Sequence, residues 1–218
     1  MNAFVLAGGR SLRMGRDKAL LEVNGRPLIE LALEKLRELG FTPRIAGLRP
    51  DLEGFAPVVF DRQGGGDERC GPLAGIEAAL AASDEEVNLF LPVDLPLLPG
   101  AFLRWLARRA ETTQAPATIP TVNGRAQPLC SVYRRELLPG LSEALREGRY
   151  RVMTAVEEAA QGARGRMDVF DVEAVAAALQ AGEWPQERPV YEWFRNLNAP
   201  DDVAAVEQTA PSIHHAGH

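Results

Sequence analysis

Residues 3–18 read AFVLAGGRSLRMGRDK, and this segment is the most informative part of the sequence. A short apolar run leads directly into two adjacent glycines, and Arg13 and Lys18 follow a few residues later. Because glycine has no Cβ, a glycine-rich loop lets backbone N–H groups approach an anion closely. Arginine offers a planar fork of donors and lysine a compact point charge, and both neutralise phosphate. The stretch therefore predicts a first strand that ends at a polyphosphate site.

Two common phosphate motifs do not match this loop. The P-loop needs four residues between its glycines and then Gly-Lys-Ser/Thr, and the dinucleotide motif needs G-x-G-x-x-G. GGRS at 8–11 fits neither. For Gly8 and Gly9 alone, a plain turn surrounded by solvated charges is the better interpretation. The complete pattern of strand, glycines, Arg13 and Lys18 favours phosphate binding.

Apolar runs alternate with amphipathic stretches along the chain, which predicts an α/β fold with a mostly parallel sheet covered on both faces. Expected strands are residues 3–6, 43–48, 57–60, 87–93, 117–120, 128–134 and 191–195. Expected helices begin at Pro27 with a stop at Gly40 and then cover 71–82, 101–110, 136–146, 152–160, 172–181 and 199–207. The ends of parallel strands are where open α/β sheets bind ligands, so the glycine loop and Asp94 are expected to share one crevice.

The composition suits a single globular domain. The chain has 218 residues, of which 46% are hydrophobic and 25% charged, and we expect one domain over 1–207 with a disordered tail at 208–218. All three histidines fall in that tail, which argues against a catalytic triad or a histidine-built zinc site. The net charge of −6 argues against a broad basic surface for nucleic acid.

Cysteine usage and hydropathy point to the cytoplasm. Cys70 and Cys130 are sixty residues apart with no C-x-x-C pattern, so free thiols are expected. No apolar run reaches the roughly 18 residues that cross a bilayer, and the N-terminus lacks the pattern of a signal peptide. We therefore expect a cytoplasmic protein without membrane contact.

Five motifs make the chain resemble the molybdenum cofactor guanylyltransferases, which belong to the MobA-like nucleotidyltransferases. They are LAGG at 6–9, GPLAG at 71–75, PVDLP at 92–96, QPL at 127–129 and NLNAPD at 196–201. The resemblance implies a Rossmann-like three-layer nucleotidyltransferase fold. It also implies transfer of GMP from GTP to the terminal phosphate of molybdopterin or Mo-molybdopterin, with Mg²⁺ as cofactor and pyrophosphate as product.

The resemblance assigns the nucleotide half of the site. Arg13, Lys18 and Asp94 would be catalytic, and Asp94 would also be the Mg²⁺ ligand. The residues implied in GTP binding are Leu6, Ala7, Gly8, Gly9, Arg13, Lys18, Asp61, Gly71 and Asp94. The alternatives are that Asp94 only caps a helix or turn, that Lys18 is solvated, and that Asp17 forms a local salt bridge holding Lys18 in place. Ala46 stands where the family often has a nucleotide-binding Asn, so that contact is expected to be lost or supplied elsewhere.

The C-terminal half is expected to bind the acceptor. Arg125, Arg149 and Arg151 are candidates for a phosphorylated pterin, although each could be an ordinary solvated arginine. Asn196 and Asn198 match the family's Asn-x-Asn, and helix capping is their alternative role.

Other functions remain open at this point. The enzyme could use CTP to make the cytosine dinucleotide cofactor, or transfer a nucleotide to a sugar phosphate. A non-enzymatic carrier of the cofactor is the alternative from another class. Molybdoenzyme apoproteins and other cofactor-biosynthesis proteins are the implied protein partners.

Overall fold

The computed structural model describes residues 1–7, 17–60, 70–163, 165–179, 184, 188–197 and 202. Its strands are β1 (Asn2–Leu6), β2 (Glu22–Val23), β3 (Arg26–Pro27), β4 (Arg44–Ala46), β5 (Val58–Val59), β6 (Val87–Pro92), β7 (Ala117–Val122), β8 (Arg125–Ala126), β9 (Val132–Arg134) and β10 (Asp168–Asp171). Its helices are α1 (Leu28–Glu38), α2 (Gly71–Ala81), α3 (Gly100–Thr113), α4 (Leu138–Arg146), α5 (Val152–Gly162), α6 (Val172–Ala178) and α7 (Val190–Trp193).

The predicted sheet is confirmed, and β1 lies inside it. The strand order is β10-β7-β9-β6-β1-β4-β5, with β8 paired to β7. β1 runs parallel to β4 and β6, and β7 runs parallel to β10, whereas β9 is antiparallel to both of its neighbours. The carboxyl ends of β1, β4, β6 and β7 therefore meet at one edge of the sheet.

Helices cover both faces of this sheet, as the apolar pattern predicts. Alternate residues of β1 enter different cores, because successive side chains of a strand point to opposite faces. Ala3 and Val5 pack with α1 and α3, and Phe4 and Leu6 pack with α2, α4 and α5. The result is a three-layer α/β architecture.

Most helix boundaries follow the local signals in the sequence. α1 follows Pro27, whose fixed φ suits the start of a helix, and the chain after it turns at Gly40 with φ of +89°. α2 ends within one residue of its predicted end. α6 stops at Ala178 and is shorter than the predicted helix over 172–181.

The prediction of a late strand at 191–195 is wrong. Residues Val190–Trp193 form the single-turn helix α7, which begins directly after Pro189. Trp193 is buried against Phe102 and Trp184. Packing of these aromatic rings selects a turn of helix where the aromatic-rich sequence alone favours a strand.

Short elements account for the other differences. β9 covers only the end of the strand expected over 128–134, because its first residues form a turn in which the Cys130 amide donates to the carbonyl of Gln127 at 3.0 Å. The hairpin β2–β3 and the strands β8 and β10 were not predicted. The helix expected at 199–207 and the tail at 208–218 lie outside the described residues, apart from Asp202.

None of the helices in the described part of the chain is long and apolar enough to span a membrane.

Candidate functional site

The candidate site begins where β1 ends. Leu6 and Ala7 are buried, and the Ala7 amide donates to the carbonyl of Ala46 at 3.2 Å, which extends the pairing of β1 with β4 by one residue. Gly8, Gly9 and Arg13 lie outside the described residues, which resume at Asp17. The flank that precedes the predicted phosphate segment is therefore anchored on the sheet edge through Ala7.

The structure brings Lys18 and Asp94 together. The Lys18 Nζ lies 3.6 Å from an Asp94 carboxylate oxygen, and the two side chains are 30% and 17% exposed. Asp94 follows β6, and the amide of Val93 donates to the carbonyl of Leu6 at 3.1 Å, so the two strand ends are adjacent. Two motifs far apart in the sequence thus meet as one ion pair.

The surroundings of Asp94 disfavour its charged form. Burial raises the pKa of the Asp94 carboxyl, and the charge of Lys18 offsets this effect only in part. A carboxylate held in this way gains from additional positive charge nearby. The pair is therefore electrostatically suited to a cation or to a ligand that carries one.

The Asn196 motif reaches the same place. The amide of Leu197 donates to the backbone carbonyl of Asp94 at 3.0 Å, and Leu197 is fully buried. Asn196 is exposed beside it, whereas Asn198 lies outside the described residues. The aromatic cluster around Trp193 packs this C-terminal segment on α3, so its approach to Asp94 is fixed by the core.

Asp17 bonds both a distant partner and a local one. Its carboxylate accepts hydrogen bonds from the buried Arg49 and from the amide of Ala19, and the latter caps the short 3-10 turn Lys18–Leu20. Asp17 therefore holds Lys18 through the backbone of this turn. Arg49 was not identified from the sequence, because arginine before Pro50 shows no local pattern that indicates burial.

Lys35 is a second residue that sequence reasoning missed. It extends from α1 and its Nζ donates to the carbonyl of Pro96 at 2.8 Å, within the PVDLP motif. Burial lowers the pKa of the Lys35 ammonium to about 8, although Cys130 and Glu38 act in the opposite direction. Lys35 thus anchors the chain just after Asp94 at an electrostatic cost.

This pKa predicts a pH-dependent stability. The unfolded chain has a lysine of ordinary pKa and binds more protons than the folded protein between about pH 8 and 10.5, so Lys35 favours folding increasingly as pH rises. We expect the free energy of unfolding of the wild type, relative to Lys35→Met, to rise by about 2–3 kcal/mol from pH 7 to pH 10. Urea unfolding of both proteins at the two pH values measures this, and a constant difference would contradict it.

α2 packs against the ends of β4 and β1, through contacts of Gly75 with Ala46 and Leu6. Gly71 adopts φ of +54°, a conformation that residues with a Cβ rarely take. A Cβ on Gly75 would lie 3.6 Å from the carbonyl of Ala46, so Gly75 allows ordinary contact between α2 and β4. Ala46 is fully buried, and its apolar side chain offers no hydrogen bond. Asp61 lies outside the described residues.

The three candidate acceptor arginines occupy different elements. Arg125 is exposed on β8, which follows the Asn123–Gly124 turn at the carboxyl end of β7. Arg149 forms ion pairs with Glu147 and, at 3.2 Å, with Glu158. Arg151 directly precedes α5 and is exposed. Arg125 is thus at the same sheet edge as Asp94, and Arg149 is engaged in surface pairs.

Metal-ligating side chains are dispersed over the part of the chain that the structure describes. Within the described ranges, no three His, Cys, Asp or Glu side chains are placed to hold a metal ion together. Cys70 and Cys130 are buried and free, as predicted.

Comparisons of the sequence with known proteins find similar proteins over most of the chain. The sequence model of the MobA-like NTP transferase domain matches residues 3–163. The molybdenum cofactor guanylyltransferase of Cereibacter sphaeroides is 34% identical over 218 residues, which cover 93% of each chain. A Bacillus subtilis protein named probable molybdenum cofactor guanylyltransferase is 30% identical over 215 residues and 96% of each chain.

A solved structure supports the fold independently. The molybdopterin-guanine dinucleotide biosynthesis protein A from Archaeoglobus fulgidus superposes with a TM-score of 0.72. The alignment covers 95% of this chain and 97% of that one at 24% identity. The similarity therefore extends over both halves of the sheet and includes the C-terminal segment.

Proposed function

Because this chain belongs to the MobA-like NTP transferase family, we propose that it transfers GMP from GTP to the terminal phosphate of molybdopterin. It is a nucleotidyltransferase of molybdenum cofactor biosynthesis, and two relatives that match over nearly their full length carry guanylyltransferase in their names. The observation that carries the assignment of the site is the meeting of Lys18, Asp94 and Leu197 at one sheet edge.

The reaction requires little acid–base chemistry. An oxygen of the acceptor phosphate attacks the α-phosphorus of GTP, a new P–O–P bond forms, and the bond to the β-phosphate breaks as pyrophosphate leaves. A phosphate is already anionic near neutral pH, so no strong general base is needed. Positioning of the two phosphates and stabilisation of their charge then account for most of the catalysis.

We propose that Lys18 places its ammonium on the transferring phosphate. Its Nζ is held near the sheet edge by the turn that Asp17 caps and by the charge of Asp94. Arg13 would cover the outer phosphates and assist the departure of pyrophosphate. Leu6, Ala7, Gly8, Gly9, Asp61 and Gly71 complete the proposed GTP site by their positions in the motifs.

The residues present fit a divalent cation, and we propose Mg²⁺. Burial raises the pKa of Asp94, so its carboxylate is stabilised by added positive charge. Mg²⁺ is commonly held by one or two carboxylates together with substrate phosphates and waters, and that ligand set needs only Asp94 from this chain. When bound, the cation would neutralise charge on the triphosphate.

The acceptor is proposed to lie on the other side of Asp94. Asn196 and Asn198 carry neutral amides that add no negative charge next to phosphates, and the backbone of Leu197 is bonded to that of Asp94. Arg125 is the candidate arginine at this sheet edge, and Arg149 and Arg151 are proposed as further contacts to the phosphorylated pterin. We also propose that the acceptor already carries molybdenum.

The domain extent, the cellular compartment and the protein partners are also part of the proposal. We propose one domain over 1–207, since one eight-stranded sheet contains both β1 and β10, and the segment at Leu197 returns to Asp94. A nucleoside triphosphate substrate and two free buried thiols suit the cytoplasm. The product would pass to molybdoenzyme apoproteins or to other proteins of cofactor biosynthesis.

Nucleotide selectivity tests this proposal. With molybdopterin as acceptor, we expect kcat/KM for GTP to exceed that for CTP and ATP by at least about 100-fold, because the wrong base leaves polar groups of the pocket unpaired. Pyrophosphate release with each triphosphate measures it. Equal rates with CTP would overturn the guanylyl assignment and direct attention to Ala46. Binding of GTP without pyrophosphate release would favour the carrier function.

A further inference from the structure

Arg49 is buried beside the edge of the sheet at which β1 and β4 end, although none of the sequence motifs contains it. It is 1% exposed and belongs to the connection between β4 and β5. A buried guanidinium is costly unless opposite charges and hydrogen bonds surround it. The hydrogen-bond partners that offset this desolvation cost therefore indicate the role of Arg49.

All five N–H donors of the Arg49 guanidinium have acceptors. Two go to Asp51, from Nε at 3.0 Å and from Nη2 at 2.7 Å. Two go to the Asp17 carboxylate, from Nη1 at 3.1 Å and from Nη2. The last, from Nη1, goes to the carbonyl of Ala7 at 3.2 Å.

Two of these partners flank the phosphate segment predicted from the sequence. Ala7 is the residue directly before 8–16, and Asp17 is the residue directly after it. The Arg49 side chain therefore joins both flanks through three hydrogen bonds. Asp51, by contrast, is a local partner two residues away in the sequence.

The base of the Arg49 side chain is itself fixed by backbone contacts. The Arg49 amide donates to the carbonyl of Gly47 at 2.9 Å, and the Gly47 amide donates to the carbonyl of Val59 at 3.1 Å. Gly47 adopts φ of +137°, in the region that favours glycine. This bend between β4 and β5 directs the chain so that Arg49 reaches across to β1.

A short path connects Arg49 to the candidate catalytic pair. The Asp17 oxygen that accepts from Arg49 Nη1 also accepts from the amide of Ala19 at 3.0 Å. That bond fixes the turn Lys18–Leu20, and Lys18 in turn lies 3.6 Å from Asp94. A displacement of Asp17 would therefore move the ammonium of Lys18.

We propose that Arg49 is a positioning residue for nucleotidyl transfer: by bonding Ala7 and Asp17 together, it sets the place of Lys18 relative to Asp94 at the end of β1. The kinetic part of this proposal rests on the proposed function. Its structural part, the fixing of the turn Lys18–Leu20, does not.

The variants separate positioning from stability. Arg49→Lys keeps the positive charge, but a compact ammonium with three donors cannot reproduce the five hydrogen bonds that the planar guanidinium makes to Ala7, Asp17 and Asp51. Asp17→Asn keeps an acceptor for the Ala19 amide while it removes the charge pairing with Arg49. Asp51→Asn is the matched control, because Asp51, like Asp17, accepts two hydrogen bonds from Arg49 and is not one of the two residues that border 8–16.

Guanylyl transfer and amide exchange are both measured, together with the melting temperature. A small misplacement of a catalytic group strongly lowers the rate of the chemical step. We therefore expect Arg49→Lys and Asp17→Asn to lower kcat at saturating GTP by about 10- to 100-fold. Binding of GTP should weaken less. Hydrogen exchange at the amides of Ala19, Leu20 and Leu21 should accelerate in both variants and stay at the wild-type rate in Asp51→Asn.

Each outcome decides a separate claim. The proposal is overturned if Asp51→Asn lowers kcat as much as Asp17→Asn does. It is also overturned if Arg49→Lys and Asp17→Asn lower the melting temperature without lowering kcat, because Arg49 then has only a general stabilising role. If Arg49→Lys does not fold, Asp17→Asn still gives the answer. If the wild type transfers nothing from GTP, the proposed function fails, while unchanged amide exchange in the variants overturns the positioning role.

Discussion

We expect Asp94→Asn to lower the turnover of guanylyl transfer by about 100- to 1000-fold. The substitution keeps the shape of the side chain but removes its negative charge. A cation on the triphosphate requires that negative charge. GTP affinity should fall less, since most proposed phosphate contacts come from other residues. Steady-state pyrophosphate release and calorimetric GTP binding measure the two effects separately.

The stability of the same variant gives an independent check. Because burial raises the pKa of Asp94, the folded protein disfavours its ionised form, and a neutral amide should leave the melting temperature unchanged or higher. Asp171→Asn is the matched control. Asp171 also ends a strand and accepts from the amide of Ala174 at 2.7 Å as a helix cap. Near-wild-type turnover in Asp94→Asn would mean that Asp94 has only a structural role, as Asp171 has in capping a helix.

We expect Lys18→Ala to lower kcat by about 100-fold or more, with a smaller change in the dissociation constant of GTP. A lysine that meets charge developing at the transferring phosphate contributes more to the transition state than to the ground state. Its ammonium is already held at the sheet edge, 3.6 Å from Asp94. Single-turnover rates at saturating GTP, compared with equilibrium binding, measure the difference.

An exposed basic residue provides the control for Lys18. Arg146 lies at the end of α4 and forms a surface pair with Glu143 at 3.3 Å, so Arg146→Ala should leave both constants near those of the wild type. An effect of Lys18→Ala confined to GTP affinity would mean that Lys18 binds substrate and transition state equally. A similar effect of Arg146→Ala would indicate a general loss of positive charge.

The layered fold could be predicted because its signals are local. The short apolar run of β1 and the apolar run of β6, which only Asn88 interrupts, identify strands buried on both faces, and Pro27 and Gly40 bracket α1. Two- and four-residue strands such as β8 and β10 carry too few residues for a periodic pattern. α7 depends on packing against Phe102, which the sequence near Tyr191 cannot encode.

The sequence by itself determined the identity of the motifs, and through them the edge of the sheet where β1 and β6 end. The sequence did not determine which charged side chains hold these motifs at that edge. Arg49 reaches Asp17 over 32 residues and Lys35 reaches Pro96 over 61, and both contacts exist only because strands and helices distant in sequence pack side by side. Hydrophobic periodicity records which face of an element is buried, whereas the partner of a buried charge is chosen by the tertiary structure, because only there can its desolvation be compensated.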